Sequence, residues 1–289
     1  MGGSLGLGLD YQHRKKYPEG LHGLIGHFAD RLSHVSIVAL EDKVDVQHFL
    51  GLLPENLPVI HHLSSVAPAS VGGVDWERLE QMERISSELN ALWCVEDIGL
   101  WHLGPYKIPY FTPPVFDRDI AAEIGQRIAE MRQRMQIPFH AEIPSCSFVL
   151  GECDLGEFFN ILIREGKCNL LLDVSHVFSY ALATERSVTD VLYSLPLDSV
   201  QEIHIAGGRV SRLDARRYID SHSDAVMPEV LELLNLSIQS CPNLRAITYE
   251  IGSNIELDAI AESFYIIENV IISTDWVPRL ELDHTTATV

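Results

Sequence analysis

Short, almost continuously apolar runs recur along the chain at Ser4–Leu9, His34–Leu40, Pro58–His62, Leu92–Glu96, Phe139–Ile143, Asn169–Val174, Val200–Ile205 and Ala246–Glu250. Runs of this kind suit parallel strands covered on both faces. Between and after them, apolar residues return at helical spacing, which predicts helices over Leu21–Leu32, Val44–Leu53, Trp76–Leu89, Arg118–Arg134, Leu155–Glu165, Ser187–Ser194, Pro228–Gln239 and Glu256–Asn269. Pro228 is a start signal for one helix, and Asp117 and Asp119 mark the start of another. Eight strand–helix units predict an α/β protein of the (β/α)8 TIM-barrel type, as one catalytic domain over residues 1–280 with a frayed tail at 281–289. An open doubly wound sheet is the alternative. It would offer a G-x-G-x-x-G turn after the first strand, whereas Gly2, Gly3, Gly6 and Gly8 lie before or within that strand. The Gly- and Pro-rich stretch Ile98–Pro114 is expected to fold over the barrel mouth, beside the long polar segment Gly207–Ala225.

The ionisable residues fall where these strands hand over to loops. In order come PVIHH (His61, His62), LWCVED (Glu96, Asp97), PFHAE (Glu142), NLLLDVSH (Asp173, His176), EIHIAGG (His204), RRYIDSH (Asp220, His222) and AITYE (Glu250). Only Asp220 and His222 follow no obvious strand. Catalytic groups of a TIM barrel sit at the C-terminal strand ends, and buried charges are costly unless paired or bound to metal. The set therefore points to one site, although each member has an ordinary reading too. Asp173 with His176 is also the pattern of a helix cap, Asp220 suits a loop turn, and His204 suits a satisfied core histidine. Together, imidazoles and carboxylates suit iron, manganese or zinc, in numbers sufficient for two or three ions. His13, His22, His27, His34, His48, His140 and His284 lack such placement and are expected to be solvated or packing residues; His102 differs by lying in the mouth segment.

Composition narrows the class. A length of 289 residues with 46% hydrophobic content supports a sizeable core. A formal charge of -20 argues against a nucleic-acid partner, which would need clustered Lys and Arg. Five cysteines (Cys94, Cys146, Cys153, Cys168 and Cys241) without C-x-x-C spacing fit a reducing compartment. No apolar run reaches the roughly 20 residues a membrane helix needs, and MGGSLGLGLD lacks the features of a secretory signal. A cytoplasmic protein without a membrane partner is expected.

GLGLD, LLLDVSH, EIHIAGG and IDSHSDAVMPEVLELL resemble, in order and spacing over nearly the whole chain, the multinuclear non-heme iron-dependent oxidative enzymes, the family that includes the methanobactin-biosynthesis oxidase. The resemblance implies a TIM barrel that holds two or three irons and uses dioxygen to modify residues, often cysteine, of a ribosomally made precursor peptide. Carried over, Glu142, Asp173, His204 and Glu250 form the central iron site. His176, Asp220 and His222 supply another and act in catalysis. His61 or His62 belongs to a third, and the two remain alternatives.

Two positions depart from the family pattern. VEDIGLW places Asp97 or Ile98 where a histidine is usual, and Ile143 stands where Asn is common beside the strand glutamate. Asp97 is a metal-ligating residue type and the isoleucines are not. The expected function is iron- and dioxygen-dependent oxidation of a peptide in natural-product biosynthesis, with a separate peptide-recognition protein as an open second partner. A divalent-metal sugar isomerase or epimerase, and a metal-free peptide-binding scaffold, are the alternatives.

Overall fold

Eight parallel strands close into a barrel: β1 (Gly6–Gln12), β2 (Val35–Val38), β3 (Val59–His62), β4 (Cys94–Asp97), β5 (Phe139–Glu142), β6 (Asn169–Asp173), β7 (Val200–Ala206) and β8 (Ala246–Glu250). Each pairs with its sequence neighbours, and β1 pairs with both β2 and β8, so no edge is left open. The computed structural model describes residues 4–276 apart from 13–14, 18–19, 39 and 41–44. The expected tail at 281–289, His13, His284 and the Val44 end of one predicted helix lie outside the described residues.

Alternation along the strands sorts the side chains. One set faces the helices and joins the main hydrophobic core. The other set fills the barrel, where Leu5, Ile60, Trp93, Val95, Leu171 and Ala246 form a small apolar plug. Each fully buried large side chain contributes roughly 1.5–3 kcal/mol, and Trp93 is fully buried. Polar residues occupy the interior on both sides of the plug, and at the C-terminal end they become the site described below.

Helices α1 (Gly20–His27), α2 (Val46–Leu50), α3 (Trp76–Glu88), α4 (Arg118–Arg134), α5 (Leu155–Gly166), α6 (Val174–Thr184), α7 (Val188–Ser194), α8 (Pro228–Ser240) and α9 (Leu257–Ser273) lie between or after the strands. Capping explains several starts. Asp45, Asp75, Asp117, Asp154 and Ser187 each accept a hydrogen bond from a backbone N–H of the helix they precede, an interaction typically worth about 1 kcal/mol. Pro228 opens α8 as expected.

The main departure from the sequence reading is α6. The expectation after β6 is a helix only at Ser187–Ser194, but the chain enters a helix directly at Val174. Val174 to Ala181 is buried at every position, so the segment lacks the apolar stripe that marks a surface helix. The mouth segment contains an antiparallel hairpin, Leu100–Leu103 with Tyr106–Thr112. The Gly207–Ala225 segment contains another, Gly208–Val210 with Tyr218–Asp220. Asp220 thus ends a short strand after all. Among the described residues, no helix is long and apolar enough to cross a membrane.

Candidate metal centre

Strand parity decides which ionisable residues meet. His62, the last residue of β3, turns into the barrel, and its Nε2 lies 2.8 Å from Glu142 and 3.9 Å from Asp97. Asp97 and Glu142 are register partners at the ends of β4 and β5. His204 Nδ1 lies 3.2 Å from Glu250 and 3.6 Å from Glu142. His61 faces the opposite way, into the helix layer, where its Nδ1 is 2.7 Å from Ser86 Oγ on α3. Of the two histidines the sequence left as alternatives, only His62 is brought to the cluster. Glu96 also points away, accepting from the backbone N–H groups of Val66 and Ala67.

Asp173 has a double role. As the N-cap of α6, its Oδ1 accepts from the His176 N–H at 2.8 Å, so the ordinary capping reading holds. The same geometry leaves Oδ2 free of hydrogen bonds and 3.8 Å from His176 Nε2. Asp220 Oδ2 lies 2.9 Å from His176 Nε2 and 3.2 Å from His222 Nε2, and His222 Nε2 is 3.5 Å from Glu250. The loop is seated by main chain. His222 N–H donates to Gly207 O at 2.8 Å, and Gly252 N–H donates to His222 O at 2.6 Å. A Cβ on Gly207 would meet Asp224 O at 1.7 Å, and one on Gly252 would meet His222 C at 2.8 Å. Gly207 is thus a contact point for the loop. His222 adopts a left-handed conformation (φ 54°), uncommon outside glycine and a mark of local constraint.

Five carboxylates (Asp97, Glu142, Asp173, Asp220 and Glu250) and four imidazoles (His62, His176, His204 and His222) therefore share one volume. Two groups have ligand atoms close enough together for one ion each: His62, Glu142, His204 and Glu250, and Asp97, Glu142 and His176. Glu142 belongs to both. Asp97 Oδ1, Glu142 Oε2, Asp173 Oδ2, His204 Nδ1 and Asp220 Oδ1 are buried without hydrogen-bond partners, a costly arrangement unless something else satisfies them. His62 Nε2 approaches Glu142 Oε2 closely without making a hydrogen bond, as two ligands aimed at a third atom do.

The histidine tautomers agree. His62 Nδ1 is 2.9 Å from Leu63 O, and His176 Nδ1 is 2.6 Å from Ile143 O. A carbonyl only accepts, so both Nδ1 atoms carry hydrogen and both Nε2 atoms turn to the carboxylates. His204 is reversed: Nε2 is 3.0 Å from Glu202 Oε1, and Nδ1 faces the cluster. A ring nitrogen committed to an acceptor while the other faces a cluster of anions is the usual arrangement of metal-binding histidine.

The charges explain the proton balance. Burial lowers the His62 pKa, but Glu142 and then Asp97 outweigh it and raise it to about 10. Burial likewise opposes charge on His222, which Asp220 and Glu250 raise to about 9. Burial and the Glu142 charge push Asp97 well up, and burial lifts Asp173 to about 7. Burial disfavours the Glu250 anion too, yet His222 and His204 hold its pKa well down. Protons on imidazoles thus play the part a cation would play.

A cavity of about 380 Å³ opens on the cluster, with His62, Asp97, Glu142, His176, His222 and Glu250 on one side and Trp101, Tyr110 and Phe111 of the mouth hairpin on the other. A larger hollow of about 580 Å³ shares Ser64 and Trp101 with it but contains none of the cluster residues. The five cysteines are buried, free and absent from both ligand groups. Two residues escaped the sequence reading. Asp10, at the C-terminal part of β1, accepts from Ile251 N–H at 2.6 Å and leaves Oδ2 unpartnered; its signal was the same apolar run ending in an acid. Glu202 lies two residues before His204, on the same face of β7.

The family described as RiPP precursor modification enzyme MbnB/TglH/ChrH matches residues 4–268. Similar curated proteins include a UPF0276 protein of Neisseria meningitidis serogroup C (strain 053442), 25% identical over 193 residues that span 66% of this chain and 68% of the relative. Another, from Acaryochloris marina (strain MBIC 11017), is 21% identical over 223 residues, 74% of this chain and 80% of the relative. Among solved structures, endonuclease IV of Thermus thermophilus superposes with a TM-score of 0.59 at 15% identity, covering 92% of this chain and 99% of that one. A xylose isomerase domain-containing protein of Salmonella typhimurium gives 0.57 at 15% identity, covering 94% and 96%. At such identity these structures establish the barrel fold.

Proposed function

The chain belongs to the MbnB/TglH/ChrH family of RiPP precursor modification enzymes, and on that premise we propose that it is an iron- and dioxygen-dependent oxidase of a precursor peptide, acting on a cysteine side chain. The observation that carries this reading is the set of three buried histidines, each with one nitrogen committed to an acceptor and the other turned to the carboxylates of the cluster.

His62, Glu142, His204 and Glu250 would hold one ion and Asp97, Glu142 and His176 a second, with Glu142 common to both. Asp173, Asp220 and His222 flank His176 and would complete a further position. Mixed carboxylate and imidazole donors with open positions suit iron. Bound iron would supply one-electron chemistry with dioxygen and stabilise a substrate thiol in its thiolate form. The polypeptide does the remainder. The hairpin residues Trp101, Tyr110 and Phe111 exclude water from the cavity and present apolar surface to the peptide. His222, 15% exposed at its side chain, is the most solvent-accessible imidazole of the cluster and is placed to meet the substrate. Asp220 orients both His176 and His222. A separate recognition protein that presents the peptide is compatible with the open mouth.

The test is elemental analysis of anaerobically purified protein together with oxygen consumption in the presence of a Cys-containing peptide encoded beside the gene. More than one iron per chain, with oxygen uptake and a change in peptide mass, is the expected result. A colourless manganese or zinc protein that consumes no oxygen would favour a sugar isomerase or epimerase, and a chain without stoichiometric metal a binding scaffold.

A further inference from the structure

Residues two apart on a strand share a face, so Glu202 lies beneath His204 inside the barrel, and both are 0% exposed. The Glu202 carboxylate receives three donors. Its Oε1 takes His204 Nε2–H at 3.0 Å and the Thr248 hydroxyl at 2.7 Å, and its Oε2 takes Trp93 Nε1–H at 2.6 Å. Thr248 is the register partner of His204 on β8. Its Oγ1 also lies 2.9 Å from His34 Nε2, while His34 Nδ1 lies 2.8 Å from Ser33 Oγ. Gly8 makes room for this ring, since a Cβ there would come within 2.5 Å of it.

The direction of every hydrogen bond follows from one fact: an ionised carboxylate only accepts. Thr248 must therefore give its hydrogen to Glu202 and accept from His34 Nε2–H, which leaves His34 Nδ1 to accept from Ser33. The chain of donors is aimed at a single buried anion. A carboxylate in this position is expensive unless satisfied, and a third apolar side chain beside Trp93 and Leu171 would pack there at no such cost. What the anion fixes is the imidazole above it. With Nε2–H held by Glu202, His204 can present only Nδ1 to Glu142 and Glu250.

We propose that Glu202, held by Trp93, Thr248 and His34, is a positioning residue that locks His204 as an Nδ1 ligand and strengthens it as a donor to the metal. The inference rests on the metal-centre reading above. Carboxylates hydrogen-bonded to a ligating histidine orient the ring and raise its basicity, and their loss typically weakens metal binding roughly 10- to 100-fold.

The test is anaerobic titration of the full chain with Co2+ as the probe, followed by visible absorption. Glu202→Gln keeps the shape but swaps an acceptor for a donor opposite Trp93 Nε1–H. The expected result is a roughly 10- to 100-fold weaker Kd and a shifted cobalt absorption band, in a protein whose circular dichroism matches the wild type. An equal Kd and an unchanged band overturn the inference and make Glu202 purely structural, whatever happens to the melting temperature. If Glu202→Gln does not fold, nitrogen-15 NMR of the zinc-loaded wild type decides. A retained hydrogen on His204 Nε2 with Nδ1 metal-bound supports the inference, and metal on Nε2 overturns it. A wild-type chain that takes up neither ion overturns the metal-centre reading itself, a different outcome from an unaffected variant.

Discussion

His176 donates its Nδ1–H to the carbonyl of Ile143 across 2.6 Å. Ile143 is one of the two positions where the chain departs from the family pattern, and its side chain has no donor atom. Its backbone nevertheless fixes the tautomer of a cluster histidine. Replacing a polar neighbour by isoleucine thus removes one potential ligand while leaving the ring above it oriented.

The paired histidines at the end of β3 should separate cleanly. His62→Ala is expected to lower iron content after anaerobic loading by about one equivalent, on the usual scale of losing one of few ligands. His61→Ala should leave iron content unchanged but destabilise the fold by about 1–3 kcal/mol, because it strips Ser86 of a buried partner. Iron analysis and urea denaturation of both variants provide the check. Iron loss in His61→Ala would reverse the assignment.

Removing a central ligand should be severe. His204→Ala is expected to lose most of the tightly bound iron, since it leaves Glu142 and Glu250 buried without their imidazole partner, and Asp173→Ala is expected to lose the ion held beside His176. Wild-type iron retention in both variants would show that the cluster is not the metal site.

Asp97 stands in a ligand group with Glu142 and His176, at a place where the family usually has histidine nearby. Asp97→Ala should reduce iron by up to one equivalent, and Asp97→His should restore it. An Asp97→Ala protein with full iron and full activity would exclude Asp97 as a ligand.

His222 is held by a loop rather than a strand. His222→Ala should abolish turnover of the peptide while keeping the circular dichroism spectrum and the iron bound by His62, Glu142, His204 and Glu250. Oxygen consumption and product mass report the first, elemental analysis the second. Global unfolding of the variant would make His222 a structural residue.

The barrel interior should carry a pH signature of its own. Burial depresses the His140 pKa to about 4, despite Glu202. An unfolded histidine titrates near about 6.5, so the unfolded chain binds this proton first as pH falls. His140 therefore removes stability progressively from about pH 6.5 down through about 4, by up to roughly 3 kcal/mol. His140→Phe keeps a ring against Trp93, which lies at 5.2 Å between centroids, and abolishes the titration. Its stability relative to wild type should rise over that pH interval in chemical denaturation. A difference that stays flat with pH would exclude the effect.

Much of the site was legible because burial cost works on single residues. An acid or histidine closing an apolar run is anomalous wherever it occurs, and the structure gathers such residues from β3 to β8 with the loop pair Asp220 and His222. The choice between His61 and His62 was not legible, because adjacent strand residues face opposite ways and parity depends on the barrel's tilt and register. Glu202 was hidden by proximity: next to His204 it looked like part of a motif rather than a support for it. The helix α6 was hidden by its own burial. His34 and His140, expected to be solvated or packing residues, are both buried and hydrogen-bonded.

The seat of the His222 loop has a bearing on how such enzymes diversify. Gly207 and Gly252 grip the loop through main-chain bonds to the N–H and C=O of His222, whereas the hairpin between Val210 and Tyr218 reaches outward, with Leu213 99% exposed. Insertions and substitutions at that tip add or remove surface without touching the grip, as exposed loop tips generally allow. If His222 acts as proposed, the surface at residues 211–216 can vary without shifting that histidine from its place.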